Sequence, residues 1–220
     1  MSRCGHPAGG RRGIPNLSAA GTRVYTVTGP TVLSADERPP PARLTAYDTT
    51  TGREAWHRET PGHFTGLAAA AEAAYVATTD GKPGGFTIAA LSARDGSSLW
   101  QHKIAAGDLT SRVDPAAYLH DQDLILYAPG MITVLDRRTG TQRWTAETAA
   151  GVTLMRPPTI HRDVVYVPAN QQLGGGVLRW RLADGTELPT LWPQVSGDLL
   201  TVSGDRVYLA SGDVVHSQPL

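Results

Sequence analysis

Cysteine is nearly missing from this 220-residue chain. Cys4 stands alone, which excludes an internal disulfide and a cysteine-based zinc cluster. Net charge is missing too: 20 basic residues balance 20 acidic ones, so no long-range field favours nucleic acid or an anionic surface, and no nucleic-acid partner is expected. No stretch approaches the roughly 18 consecutive apolar residues of a membrane-spanning helix. The most apolar segment, LAAAAEAAY from Leu67 to Tyr75, is broken by Glu72, so no membrane insertion by this chain is expected. The first residues, MSRCGHPAGGRRGIPN, hold Gly, Pro and charge but no apolar core of the kind a secretory signal carries. Residues 1–17 are therefore expected to be disordered. The chain as written is expected in the cytoplasm, with an extracytoplasmic location if it is part of a longer membrane-anchored chain.

Catalytic signatures are absent as well. AGGRRGIP lacks the Lys-Ser/Thr ending of a phosphate loop, LGGGVLRW lacks dinucleotide glycine spacing, and neither a nucleophile elbow nor a kinase signature occurs. Seven histidines (His6, His57, His63, His102, His120, His161 and His216) form no i, i+4 pair and sit beside no acidic set at zinc spacing, so they are expected at the surface or in turns. Asp121 and Asp123 are expected as solvated turn acids, because no EF-hand glycine or distal glutamate follows them. The chain is expected to be non-enzymatic, with no catalytic residue, no metal and no cofactor.

What is present is a repeat. YDTTTGREAW (Tyr47 to Trp56) is echoed by LSARDGSSLW (Leu91 to Trp100), LDRRTGTQRW (Leu135 to Trp144) and, more weakly, WRLADGTELP (Trp180 to Pro189). The turn glycines Gly52, Gly96, Gly140 and Gly185 stand 44, 44 and 45 residues apart, and Trp56, Trp100 and Trp144 keep the 44-residue step. A period of about 40–45 residues suits four short strands per unit arranged radially. Helical repeats of similar length are excluded by composition, since the units are dense in Val, Thr, Tyr, Gly and Pro and alternate with period two.

A second-strand signature marks five units: TRVYTVTG (Thr22 to Gly29), AAYVATTDG (Ala73 to Gly81), DLILYAPG (Asp123 to Gly130), DVVYVPAN (Asp163 to Asn170) and DRVYLASG (Asp205 to Gly212). Third strands such as ARLTAYD and MITVLD follow, then the turn, then fourth strands such as REAWHRE and TQRWTAE. Asp48 and Asp136 end their third strands, where a carboxylate accepts hydrogen bonds from the amides of its own turn. Gly52 and Gly140 supply the positive φ of that turn. In the other two turns the acid, Asp95 or Asp184, has moved next to Gly96 or Gly185, which predicts a rebuilt turn. Trp56, Trp100 and Trp144 lie four residues past the glycine and are expected to pack between neighbouring units, each ring contributing on the order of 2–3 kcal/mol. The fourth unit has Pro189 at that place.

AYDTTTGREAW and VLDRRTGTQRW, each preceded by a VY-type strand, resemble the pyrroloquinoline-quinone-like (PQQ-like) repeat, A-L-D-x-x-T-G-x-x-x-W, of the quinoprotein alcohol dehydrogenase-like superfamily. The match spans about residues 18 to 220. The resemblance implies an all-β fold, a β-propeller of four-stranded antiparallel blades with tryptophans docking between them. Its quinone-dependent members would need adjacent cysteines and a calcium-binding acidic set. Cys4 alone does not meet that requirement, so the non-catalytic branch is expected.

About five blades fit this length, at residues 18–60, 61–107, 108–150, 151–194 and 195–220, the last without a recognisable fourth strand. An open, partial propeller is expected, with self-association through open blade edges. Three insertions, TVLSADERPPPA (Thr31 to Ala42), TDGKPGG (Thr79 to Gly85) and NQQLGGG (Asn170 to Gly176), are where specificity would reside. The functional expectation is a binding scaffold for a protein partner or small ligand. Alternatives are an extracytoplasmic sensor region of a bacterial serine/threonine kinase and a quinoprotein dehydrogenase.

Overall fold

A computed structural model describes residues 17–28, 42–60, 62–79, 85–105, 115–128, 130–148, 152–154, 157–171, 174–197 and 199–220. The segment ahead of Leu17, most of the first two insertions, and Gln172 and Leu173 of the third lie outside the described residues. Those that are described form strands and turns with no helix among them, and therefore none long and apolar enough to cross a membrane.

Five antiparallel sheets follow one another along the chain, each a simple up-and-down meander. The first contains β1 (Leu17–Ala20), β2 (Arg23–Thr28), β3 (Ala42–Asp48) and β4 (Glu54–Thr60), hydrogen-bonded in that order. The second contains β5 (His63–Ala69), β6 (Ala73–Thr79), β7 (Phe86–Ser92) and β8 (Ser98–Ile104). The third is built from β9 (Ala116–His120), β10 (Asp123–Ala128), β11 (Met131–Asp136) and β12 (Gln142–Glu147).

The fourth sheet departs from this plan. Its inner strand is split into β13 (Thr153–Leu154) and β14 (Thr159–His161), both pairing with β15 (Val164–Gln171), which is followed by β16 (Gly174–Arg181) and β17 (Glu187–Leu191). Pro157 and Pro158 stand immediately before β14, and two residues without amide hydrogens cannot extend a ladder. The fifth sheet has three strands, β18 (Leu199–Ser203), β19 (Arg206–Ser211) and β20 (Val214–Pro219), and β20 is an edge.

Burial explains why the strands differ in composition. In β10, Leu124, Ile125 and Leu126 are all buried, because a middle strand of a blade is covered on both faces by neighbouring blades. The outer strands β4 and β12 expose most of their residues but bury Trp56 and Trp144. The core is accordingly not one cluster but a series between sheets. Tyr25, Leu44 and Trp56 of the first sheet meet Phe64, Leu67 and Val76 of the second. Tyr75, Ile88 and Phe86 meet Leu124, Leu126 and Met131. Ile125, Val134 and Trp144 meet Val165, Val167 and Trp180, and Tyr166, Val177 and Leu191 meet Val207 and Leu209.

At the inner rim β1 lies against β5, β5 against β9, and β14 against β18. Gly66 on β5 permits that approach, since a Cβ there would stand 2.7 Å from the Pro115 carbonyl oxygen. Sheets that face one another in sequence, with inner strands adjacent and outer strands exposed, are the blades of an open β-propeller.

Candidate interaction surface

The four turns that join third to fourth strands share one backbone. The amides of Gly52, Gly96, Gly140 and Gly185 donate to the carbonyls of Asp48, Ser92, Asp136 and Arg181 at 2.8–2.9 Å. Each glycine has a φ between +67° and +74°. Two side-chain solutions support this one skeleton. Asp48 Oδ1 accepts from the amides of Thr50 and Thr51, and Asp136 Oδ1 accepts from those of Arg138 and Thr139. Asp95 Oδ1 instead accepts from the amide and hydroxyl of Ser97, and Asp184 Oδ1 from the amide of Thr186. The moved acid thus changes its partner and leaves the turn intact.

These bonds favour the charged carboxylates. Hydrogen bonds from the Ser97 hydroxyl and amide hold Asp95 down at about 2. Asp48, Asp136 and Asp184 are lowered chiefly by bonds from Thr51, Thr139 and Thr186.

The turns are also receptors for the tryptophans. Trp56 Nε1 donates to the Ala93 carbonyl at 3.1 Å, Trp100 Nε1 to Arg137 at 3.0 Å, and Trp144 Nε1 to Leu182 at 2.8 Å. Each ring lies on the glycine of that same turn. A Cβ added to Gly96 would come within 2.7 Å of Trp56, one on Gly140 within 2.6 Å of Trp100, and one on Gly185 within 2.6 Å of Trp144. The glycine therefore has two tasks: a positive φ, and a bare surface for the indole of the preceding blade. Tyr25 and Tyr75 back two of the rings at centroid distances of 5.8 and 6.1 Å. Pro189 in β17 cannot repeat the contact, and the fourth blade meets the fifth through Tyr166, Val177 and Leu191 instead.

Arginines add polar ties across the same interfaces. Arg23 Nη1 donates to Asp48 at 2.6 Å while its Nε donates to the Ala93 carbonyl at 3.1 Å in the next blade. Arg58 Nε donates to the Gly96 carbonyl at 2.7 Å, and Arg137 lies 3.4 Å from Glu72. No sequence pattern marks these ties, since two of the acceptors, on Ala93 and Gly96, are backbone oxygens that every residue possesses.

Two expectations about polar residues require correction. His63 is buried in β5, not exposed, because that strand is covered along nearly its whole length. Asp123 is the first residue of β10 and is 5% exposed, not a solvated turn acid. Desolvation pushes its pKa up against the opposing pull of Arg143, whose Nη1 lies 3.0 Å away outside hydrogen-bond geometry. Asp121 does occupy the turn, with φ +45°. Among the described residues no three His, Cys, Asp or Glu side chains converge as a metal ligand set.

The remaining chemistry is apolar exposure. Among the described residues the large hydrophobic side chains in solvent are Leu17, Leu99, Leu199, Val214, Val215 and Leu220. All but Leu99 belong to the two terminal sheets. Val214 and Val215 lie on β20, whose outer edge has no described partner strand.

Fold and interlocks together define a β-propeller built from PQQ-like repeats. A model of the family described as outer membrane protein assembly factor BamB matches residues 6–218, and the chain belongs to that family. Among solved structures it is similar to BamB from Moraxella catarrhalis, with 20% identity and a TM-score of 0.64 over 92% of this chain and 57% of that one. It is also similar to a europium-containing methanol dehydrogenase (14% identity, TM-score 0.59, 92% of this chain and 51% of that one). A third is the quinohemoprotein alcohol dehydrogenase from Comamonas testosteroni (14% identity, TM-score 0.61, 87% and 39%). The chain thus spans about half the length of the structures it matches, and at these identities the likeness is one of fold. A search of curated protein sequences finds no match.

Proposed function

We propose that this chain is a non-enzymatic scaffold that binds a protein partner through the outer strand of its fifth blade. The carrying observation is β20, which among the described residues pairs only with β19 and carries exposed Val214 and Val215. Such an edge recruits an extended segment by strand addition: backbone hydrogen bonds supply affinity and alternate side chains supply selectivity. Similarity to an assembly factor supports a protein partner over a small ligand.

A photo-reactive residue in place of Val215, activated in cells of the source organism, tests this reading. It predicts a covalent adduct to a second polypeptide, which Val214→Lys diminishes. A dye-reduction assay with added pyrroloquinoline quinone and calcium addresses the competing reading. Quinone-dependent turnover above the blank would overturn the non-enzymatic assignment.

A further inference from the structure

We propose that the fifth blade is hinged: it swings as a unit about Ser196 and Gly197, away from four blades that stay locked together. The inference concerns how that blade is held, not what it binds, and does not depend on the scaffold reading.

The first three interfaces are each fastened by an indole N–H bond. Arg23 and Arg58 add ties across the first, and Arg137 with Glu72 adds one across the second. Among the described residues no indole N–H crosses the fourth. There Thr159 Oγ1 donates to the Leu200 carbonyl at 3.5 Å, the long limit of a hydrogen bond. The apolar cluster at this interface holds five buried residues among those described, against ten to fourteen in each of the other clusters. A stack of repeats is stabilised interface by interface, so the thinnest interface opens first.

Two features disfavour the closed arrangement. His161 stands opposite Val164, on the side of β14 that packs against the fifth blade, and its Nε2 is buried without a hydrogen-bond partner. A buried polar atom left unpaired is unfavourable, and opening returns this one to water. Trp192, where the chain leaves β17, has φ +46°, a strained conformation for a bulky residue. Its ring lies 6.1 Å from that of His216 on β20, which ties the strain to the closed interface.

The connecting chain shows where the bend falls. A Cβ on Gly175 of β16 would come within 2.7 Å of Ser196 Oγ and 3.0 Å of its Cα, so Ser196 lies against the fourth blade. A Cβ on Gly197 would come within 2.5 Å of the Leu209 side chain and 2.7 Å of the Ala210 carbonyl oxygen, so the next residue already lies on the fifth. Anchorage thus changes blade from one residue to the next, and a glycine at that point leaves the backbone free to turn.

The test is native-state hydrogen exchange of the full chain, read by mass spectrometry at denaturant concentrations below the unfolding transition. Amides of β18, β19 and β20 should exchange at one common rate, on the order of tenfold faster than those of β6, β10 and β15. The first blade also has a single described neighbour, yet β2 and β3 should stay as protected as β10, because Trp56, Arg23 and Arg58 hold it. His161→Leu removes the unpaired nitrogen and should slow exchange in the fifth blade about fivefold, leaving the other blades unchanged. Four results would each overturn the proposal: fifth-blade rates equal to those of β10, rates that climb gradually toward Leu220 as fraying gives, a first blade that opens as readily as the fifth, or unchanged fifth-blade exchange in His161→Leu.

Discussion

The indole N–H of Trp144 donates to the Leu182 carbonyl at 2.8 Å, linking the outer strand of one blade to the turn of the next. The same bond recurs at Trp56 and Trp100, so three of the four blade interfaces are fastened in one way. In a repeat structure whose units touch only neighbours, stability is close to a sum of units and interfaces, and these contacts are interface terms.

Trp144→Ala removes both the ring and its N–H. Loss of a buried tryptophan costs about 3–5 kcal/mol, which lowers Tm by roughly 10 °C for a chain of this size. Trp144→Phe keeps most of the apolar contact and loses the hydrogen bond, a cost of about 1 kcal/mol. Urea titration of the three proteins checks the order wild type, Phe, Ala.

Gly52→Ala and Gly140→Ala separate the two tasks of the turn glycine. Both force a Cβ into a left-handed conformation, which costs roughly 1–2 kcal/mol. Only Gly140→Ala also drives that Cβ into Trp100, adding about 1–3 kcal/mol of overpacking. Chemical denaturation should therefore rank Gly140→Ala clearly below Gly52→Ala.

The turn carboxylates set the acid limb of stability. Asp48, Asp95, Asp136 and Asp184 have folded pKa values below their unfolded ones, so their contribution is complete above about pH 4 and is lost as pH falls through the folded values, to about 2 for Asp95. Asp123 acts in the opposite sense: its raised folded pKa means a penalty at neutral pH that protonation relieves. Tm recorded from pH 6 to pH 2 should fall steeply below pH 4. Asp95→Asn should flatten that fall, and Asp123→Asn should raise Tm near neutrality relative to its effect at pH 3.

Lysine at Val214 and Val215 charges β20, the outer described strand of the fifth blade. Edge strands that carry lysine resist pairing with another chain. Light scattering after size exclusion should show less self-association for the double variant than for the unaltered chain, with no loss in Tm, since both side chains are already exposed.

Much of this architecture was legible in the spacing of Gly52, Gly96, Gly140 and Gly185, because a turn glycine and a docking tryptophan are both constrained by side-chain identity. Asp48 and Asp136 were readable as turn acceptors for the same reason. The acceptors of the indole bonds were not, since Ala93, Arg137 and Leu182 share only a carbonyl, which every residue possesses. The inner strands were equally silent: LSAA and TIH are too short to show a period. LAAAAEAAY, the most apolar run, proves to be the hairpin from β5 into β6, its Glu72 exposed at the bend. The burial of Asp123 and His63 depends on what neighbouring blades cover, and local sequence does not encode it.

Hydrogen exchange at the indole N–H groups, followed by NMR on tryptophan-labelled protein, tests the interlocks most directly. Trp56, Trp100 and Trp144 should exchange slowly, with protection that disappears together with the melting of the sheets. Exchange of these three at the rate of free tryptophan, in a chain that is otherwise folded, would contradict the account.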